Sequence, residues 1–511
     1  MRLDLQNLPT DPALLHHLVR DMASRLAQRN DEIERLQLII RKLQRNQFGA
    51  RSEQLSADQL ALGLEDLDAD VGAAMTRAAD SAPIKTDAEP APRRKALPEH
   101  LPREDRRIDI DTTACPCCGG ELHTIGESIS EMLDWIPAQV RVLRIRRPKY
   151  GCRGCEKIHQ APAPARAIAG GLATPALLAQ IITAKYCDHT PLYRQAQIFA
   201  RHGVDLERST LAGWVGGACW WLDALHAHLC AEVFASDHLF ADDTPVPVLD
   251  PGRGKTKTGR LWVYARDDRR WLGPAPPAAV YLFAPDRKAL RPVTHLENFA
   301  GVLQVDGYAG FEQLTRAGRI TLAACWAHTR RKFYEVAEAT ASPIATEALR
   351  RISALYRIEE QVTGQPADVR REKRRAESEP LVHSLKTWLD QQLQQIPERS
   401  PLADAIRYAL GHWTQLTRFL QDGRIELDTN PVERAIRPVA LGRKNHLFAG
   451  SDGGGERWAT VCSLIETCKL NGVEPYAYLK DVLEKMVDGY PANRLAELMP
   501  WAWKGHPTTV V

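Results

Sequence analysis

The sequence has no apolar run of about 18 residues, no even-numbered cysteine framework, almost no net charge and no internal repeat. Each absence removes a class of protein. Without a long apolar run, no transmembrane helix is expected. The N-terminal MRLDLQNLPTDPALLHHLV carries acids and lacks an apolar core followed by a small-residue cleavage site, so it does not read as a signal peptide. Eleven cysteines, an odd number, are then expected as reduced thiols or metal ligands rather than disulfides, in a cytoplasmic protein. Lys and Arg number 67 against 64 Asp and Glu, and the balance of +3 excludes a uniformly basic DNA-binding domain and a highly charged disordered chain. The glycine-rich GSDGGGERW at 450–458 lacks the Lys-Ser/Thr of a P-loop and reads as a flexible turn.

What is present is enough for several domains: 511 residues, 44% of them hydrophobic. Within 12–50, Val19, Leu26, Ile33 and Ile40 fall on one heptad position, and Leu15, Met22, Arg29, Leu36 and Leu43 on the other, as in a parallel two-stranded coiled coil. Residues 51–104 end in an Ala-, Pro- and charge-rich stretch and read as a linker. A compact element follows over 105–165. Residues 170–232 are helical, with a glycine turn at Gly203 and a helix from Ser209 onward that suggests a helix-turn-helix. Trp214, Trp220 and Trp221 on it read as core. Strand-like runs begin at Asp237, and residues 329–422 are helical and highly charged. The run VRREKRRAESE in that stretch reads most simply as a solvated face or loop.

Two Cys-x-x-Cys pairs, Cys115/Cys118 and Cys152/Cys155, can each offer two thiolates from a tight knuckle and so complete a tetrahedral zinc site. Cys117 competes with its neighbours, and His123 and His159 are weaker alternatives. The strand-like alternation from Val140 to Tyr150 suits a zinc ribbon. Around it lie Arg141, Arg144, Arg146, Arg147, Lys149, Arg153 and Lys157, against one acid, Glu156. That cluster reads as a footprint for nucleic-acid phosphate.

Three acids stand out by context. Asp242 ends HLFAD, Asp306 ends GVLQVD, and Glu433 sits on a helix that Asn430-Pro431 starts. If the strands are neighbours, all three can point to one sheet edge. Converging carboxylates suit Mg²⁺ or Mn²⁺, and two such ions would support in-line phosphoryl transfer on a nucleic-acid strand. Arg330, Arg331 and Lys332, and Arg434, Arg437, Arg443 and Lys444, are the nearby cations that could bind phosphate.

RNQFGARSEQL, the paired Cys-x-x-Cys, KYCDHTPLYRQAQIFARHGVDLERSTLAGWV, FADDTPVPVL, QVDGYAGF, CWAHTRRKF, TNPVERAIRPVALGRKNHLFAGSDGGGERWA and NGVEPYAYLKDVLEKM occur in that order. In these motifs the whole chain resembles the large transposase of the bacterial insertion sequence 66 family. The resemblance implies a multidomain α/β plus α protein: coiled coil, zinc ribbon, helix-turn-helix-like domain, and an RNase H-like catalytic domain over 233–470 interrupted by the helical insertion, with a helical tail over 471–511. It implies Asp242, Asp306 and Glu433 as the Asp-Asp-Glu metal ligands, where Asp242-Asp243-Thr244 replaces the usual Asp-Glu-Thr. Asp242 is preferred because it directly follows the strand. Cys325 and His328 resemble a Cys-x-x-His pattern of related transposases, with a structural or strand-positioning role.

The implied activity is DNA cleavage at the element's ends and strand transfer into target DNA, with Mg²⁺ or Mn²⁺ at the acids and structural Zn²⁺ at the ribbon. Terminal inverted repeats and target DNA are the implied partners, with a homo-oligomer formed through the coiled coil, accessory proteins of the same element, no membrane, and a nucleoid-associated location. A zinc-dependent repressor without catalysis and a metal-dependent nuclease are the alternatives.

Overall fold

The structure, a computed structural model, describes Leu97 and residues 103–136, 139–250 and 252–504. The heptads of 12–50 and nearly all of the linker lie outside the described residues.

The described chain opens with a small sheet. Strand β1 (Arg103–Arg107) pairs parallel to β3 (Gln139–Cys152), β2 (Leu122–Ile136) pairs antiparallel to β3, and β4 (Ile158–Gln160) adds to β3. The long β2–β3 hairpin keeps its register from Leu122 opposite Cys152 to Ile136 opposite Gln139, apart from one bulge between Thr124 and Gly126. Its far end is tied into the body. The N–H of Leu133 donates to Leu172 O (2.6 Å), that of Thr174 to Leu133 O (3.1 Å), and the Thr174 hydroxyl to Asp134 (3.0 Å).

Thr174 also caps helix α1 (Pro175–Tyr186), its oxygen accepting from the Leu177 N–H, and Pro175 occupies the first turn where no donor is lost. Helices α2 (Leu192–Arg201) and α3 (Arg208–Phe234) follow. The 27-residue α3 runs well past the stretch from Ser209 to Leu222 that its sequence pattern suggests. Leu211, Ala212, Trp214, Val215, Ala218 and Cys219 are all buried in one core with the main sheet. A helix apolar on nearly every side is a core helix. No residue from Thr210 to Leu222 is exposed, and the exposed positions further along, Asp223, Ala224, Ala227, Ala231 and Glu232, include no cation, so the stretch expected as a recognition helix is covered rather than free to enter a DNA groove.

The main sheet has the order β7-β6-β5-β8-β9. It comprises β5 (His238–Val248), β6 (Lys257–Arg266), β7 (Ala278–Ala284), β8 (Gly301–Val305) and β9 (Ile320–Ala324), with the short α4 (Leu290–His295) between β7 and β8. The connection Leu249–Lys257 belongs to a second compact unit, in which the Arg253 N–H donates to Asp250 O. Strands β6 and β7 are antiparallel, whereas β5, β8 and β9 are parallel. HLFAD and PVPVL form one strand, not two. Its ladder with β8 covers only His238–Phe240, so Pro245 and Pro247 fall where β8 needs no donor.

After β9 the chain leaves the sheet for α5 (Trp326–Thr340), α6 (Pro343–Val362), α7 (Ala367–Lys373), a π turn over Arg374–Ser378, α8 (Glu379–Gln395), α9 (Pro401–Gly411) and α10 (Trp413–Leu416). Ser342-Pro343 and Ser400-Pro401 repeat the cap-then-proline start of α1. These helices have a core of their own around Phe333, Ile352, Leu385 and Ile406. The charged run is a solvated face on one side only, with Arg371, Glu372, Arg375 and Glu377 exposed. Arg370 and Arg374 are fully buried, paired to Glu359 and Glu426.

The chain returns through α11 (Asn430–His446), α12 (Asp452–Leu470) and α13 (Pro475–Val487). Helix α12 covers the edge strand β7: Ser463 accepts from Tyr281 N–H (2.8 Å), and Thr467 both accepts from Ala279 N–H and donates to its carbonyl (3.1 Å each). An edge whose backbone is satisfied this way cannot recruit a stray strand. No helix among the described residues is long and apolar enough to cross a membrane.

Candidate active site

Parallel register builds the centre. His238 lies opposite Val302 and Phe240 opposite Gln304, and the same offset carried two residues further sets Asp242 beside Asp306. Val305 lies opposite Ala324, so the next pair in that row is Asp306 and Cys325. Asp242 lies within β5, just past its ladder with β8, rather than following the strand, and it stands in one row with Asp306 and Cys325 at the carboxyl ends of β8 and β9, where open α/β sheets place their ligand crevices.

Two helix N-termini complete the row. Cys325 is the N-cap of α5 and His328 lies in its first turn, while Glu433 lies in the first turn of α11. The two starts are bolted together, since Trp326 donates its N–H to Leu427 O and its indole N–H to Leu416 O (2.8 Å each). Thr429 donates to Glu433 Oε1 (3.0 Å), and His328 Nδ1 stands 3.9 Å from the same oxygen. Ligand atoms of Cys325, His328 and Glu433 lie within 4.8 Å of one another.

The electrostatics separate two adjacent acids. Burial, and then the negative charge of Asp306, push Asp242 up to about 7, with His328 opposing. Asp243 instead points away into ion pairs with Arg260 (2.8 Å) and Arg287 (2.9 Å), and its side chain is 1% exposed. The Arg287 guanidinium in turn lies over the Tyr308 ring, 4.1 Å from its centroid. Of the two, Asp242 is the acid left facing Asp306. Two crowded carboxylates, one of them pushed toward its neutral form, are the donor set a divalent cation would relieve.

Gln304, Tyr408 and Gly307 support this centre and are not evident as functional in the sequence. Buried Gln304 bonds both ways to the backbone of Glu426, accepting from its N–H (2.7 Å) and donating to its carbonyl (3.0 Å), and so fixes the segment that leads to Glu433. The Tyr408 hydroxyl, from the helical insertion, donates to the carbonyl of Asp306 (2.9 Å). Gly307 has φ +98°, and a Cβ there would meet that hydroxyl at 2.6 Å. The proximity of 408 to 306 leaves no periodic trace in the sequence.

The second centre is the four-cysteine cluster. Cys115 Sγ lies 3.3 Å from Cys155 Sγ, and Cys118 Sγ 3.3 Å from Cys152 Sγ. All four sulfurs fall within 4.8 Å of one another, against roughly 3.8 Å between the corners of a tetrahedral site with 2.3 Å Zn–S bonds. The two knuckles repeat each other. Gly119 N–H donates to Cys115 O and Glu156 N–H to Cys152 O (2.8 Å each), and both turn residues are left-handed, at φ 72° and 57°. Burial pushes the Cys115 thiol up, but the N–H groups of Cys117 and Cys118 outweigh it and hold the thiol well below its ordinary range. The residues fit structural zinc. Cys117 is exposed and accepts from Lys157 Nζ (3.1 Å), outside the cluster, while His159 Nε2 stands 3.5 Å from Cys115 Sγ at its edge.

The cations of the ribbon are not the open footprint that the local count suggests. Folding brings acids from β1 and β2 alongside β3. Arg141 pairs with Glu104 and Asp134, Arg144 with Glu131 (3.0 Å), and Arg146 with Asp105 (3.4 Å). Arg147 donates to Ala161 O (3.0 Å). Beside the acid row, by contrast, Arg330, Arg331 and Lys332 on α5 and Arg434, Arg437 and Lys444 on α11 are exposed. Arg331 pairs with Glu335 (3.1 Å) and Arg434 stands 3.9 Å from Asp267. Arg443 is half-buried and donates to Pro245 O.

Comparison with known proteins matches these regions in order. The family model described as Transposase IS66 family matches residues 170–457, IS66 C-terminal element 463–501, zinc-finger binding domain of transposase IS66 112–156, and Transposase C of IS166 homeodomain 35–106. Among curated proteins, the uncharacterized protein y4jD of Sinorhizobium fredii is 44% identical over 99% of this chain and 98% of its own length. The uncharacterized protein y4qI of the same organism is 42% identical over 93% of this chain and 90% of its own length.

Proposed function

This chain belongs to the IS66 transposase family, and from that premise we propose that it cuts DNA at the ends of a mobile element and joins the freed 3′-hydroxyl to target DNA, using Asp242, Asp306 and Glu433. Family membership carries DNA cleavage and transfer in general. The register that sets Asp242 beside Asp306, with Glu433 brought in on α11, is the observation that supports this specific acid set. We read the mixed main sheet as an RNase H-like core on the same ground.

Asp242, Asp306 and Glu433 would hold Mg²⁺ or Mn²⁺, which supplies Lewis-acid charge at the scissile phosphate. The chain's own residues do the positioning. Arg260 and Arg287 neutralise Asp243, so that the strand can carry two successive acids with only Asp242 turned to the site. Thr429 orients Glu433, and Tyr408 fixes the backbone of Asp306. Exposed Arg330, Arg331, Lys332, Arg434, Arg437 and Lys444 flank the acids on two helices and would grip the DNA backbone. One phosphodiester is exchanged for another in joining, so no nucleotide hydrolysis is required. The zinc ribbon would contact the terminal repeats through exposed Lys149 and Arg153. The heptads of 12–50 would pair two chains for a reaction on two DNA ends.

Asp306→Asn should lower Mg²⁺-dependent cleavage and strand transfer on labelled element ends by more than about 100-fold while end binding persists. Full activity in that variant would sink the assignment. Specific binding without any cleavage by the unaltered chain would make it a repressor, and cleavage without joining a nuclease.

A further inference from the structure

We propose that Cys325, His328 and Glu433 form a Zn²⁺ site separate from the ribbon, and that Zn²⁺ bound there takes Glu433 away from the Asp242–Asp306 pair. The inference rests on the reading above only in giving Glu433 a second role.

A thiolate, an imidazole and a carboxylate are a zinc donor set, whereas Mg²⁺ takes oxygen ligands and avoids sulfur. The sequence offers Cys325 and His328 as a Cys-x-x-His pair, two ligands and no more. Folding supplies the third, because the start of α11 docks on the start of α5 and brings Glu433 within 4.8 Å of both. His328 Nδ1 is buried and has no hydrogen-bond partner among the described residues. Its neighbour Glu433 Oε1, at 3.9 Å, is too far for a hydrogen bond. Two bonds of about 2.1 Å to one ion would bring such atoms to roughly 3.4 Å, a closure of about half an ångström. Cys325 is 1% exposed, at the N-cap of α5, on the side of the helix that meets α11. On binding, its sulfur gives up a proton to solvent and takes the metal in its place. Three protein ligands leave a fourth position open to water or a phosphate oxygen, as in zinc sites that are not purely structural.

Hard and soft cations thereby select overlapping subsets of one pocket. Mg²⁺ or Mn²⁺ would take Asp242, Asp306 and Glu433, and Zn²⁺ would take Cys325, His328 and Glu433. Glu433 cannot serve both geometries in full, so zinc occupancy restrains catalysis.

The test uses the full-length chain with one equivalent of Zn²⁺ filling the ribbon, titrated with Co²⁺. One further Co²⁺ per chain is expected, with a near-ultraviolet thiolate-to-cobalt charge-transfer band. The band should vanish in Cys325→Ser, and Co²⁺ affinity should fall at least about tenfold in His328→Ala, whose half-buried ring is removed at little risk to the fold. No band in the unaltered chain, or an undiminished band in both variants, overturns the site. Added Zn²⁺ should also inhibit Mg²⁺-dependent cleavage, and inhibition of His328→Ala should need about tenfold more Zn²⁺. Equal inhibition of the two overturns the competition. The cobalt readout needs neither DNA nor turnover. A chain that shows the band but never cuts keeps the site and loses the transposase reading, and a chain that cuts without the band does the reverse.

Discussion

Asp242 and Asp243 are chemically alike and adjacent, yet their surroundings give them opposite work. Two guanidiniums hold Asp243, and Asp242 faces another acid with none. With its carboxyl raised to about 7, far above the usual carboxylate value, metal-free Asp242 keeps its proton below that pH. A divalent cation must displace it. Apparent Mn²⁺ affinity should therefore rise up to about tenfold per pH unit toward 7 and level off above, with proton release seen by calorimetry in buffers of different ionisation enthalpy. Asp242→Asn should remove that proton release. The same raised carboxyl favours the metal-free folded state most below the unfolded value near about 4, and this contribution is lost as pH rises through about 7. That Asp242 and Asp306 sit at the ends of apolar runs is visible in sequence, because a strand is written in consecutive residues. That Asp243 is sealed by Arg260 and Arg287 is not, because those arginines arrive from β6 and from the turn after β7.

The helical insertion shows the same limit at the scale of elements. VRREKRRAESE has the composition of a water-facing segment, and charge patterning alone reads it so. Its Arg370 and Arg374 become interior only because Glu359 on α6 and Glu426 in the strap before α11 meet them. Arg374 also donates to the carbonyl of Phe419 (3.1 Å). Without Arg370, Glu359 keeps Arg374 and Glu426 keeps Arg270, but each acid loses a charged hydrogen bond inside the fold, at about 1.5–3 kcal/mol per bond. Arg370→Met should lower unfolding free energy by that order in denaturant titrations, where exchange of exposed Arg371 stays within about 0.5 kcal/mol. Because Glu426 is also clasped by Gln304 on β8, damage in the insertion reaches the segment that delivers Glu433. Strand-to-helix order was readable from apolar periodicity. The recognition-helix expectation for α3 failed because a two-helix turn pattern says nothing of what covers it.

At the scale of the whole molecule, the near-neutral +3 balance is the sum of engaged and open regions. Ribbon Arg141, Arg144 and Arg146 are spent on acids of β1 and β2, while Lys149 and Arg153 of the ribbon stay exposed, as do the cations on α5 and α11. Stripping zinc with a chelator should release the amide protection of residues 108–160 while the main sheet, from His238 to Ala324, keeps its own, as hydrogen exchange would report. The docking of the β2–β3 hairpin gives this separation a spatial meaning. Its anchored point is Leu133, and its cysteine end is Leu122 opposite Cys152. Eleven residues of strand at about 3.3 Å each make a span of about 36 Å, close to one turn of B-form duplex. If the ribbon contacts DNA as proposed, the hairpin acts as a ruler, and lengthening both its strands by an equal, in-register pair of residues should shift by about 7 Å the place along a duplex that its tip touches.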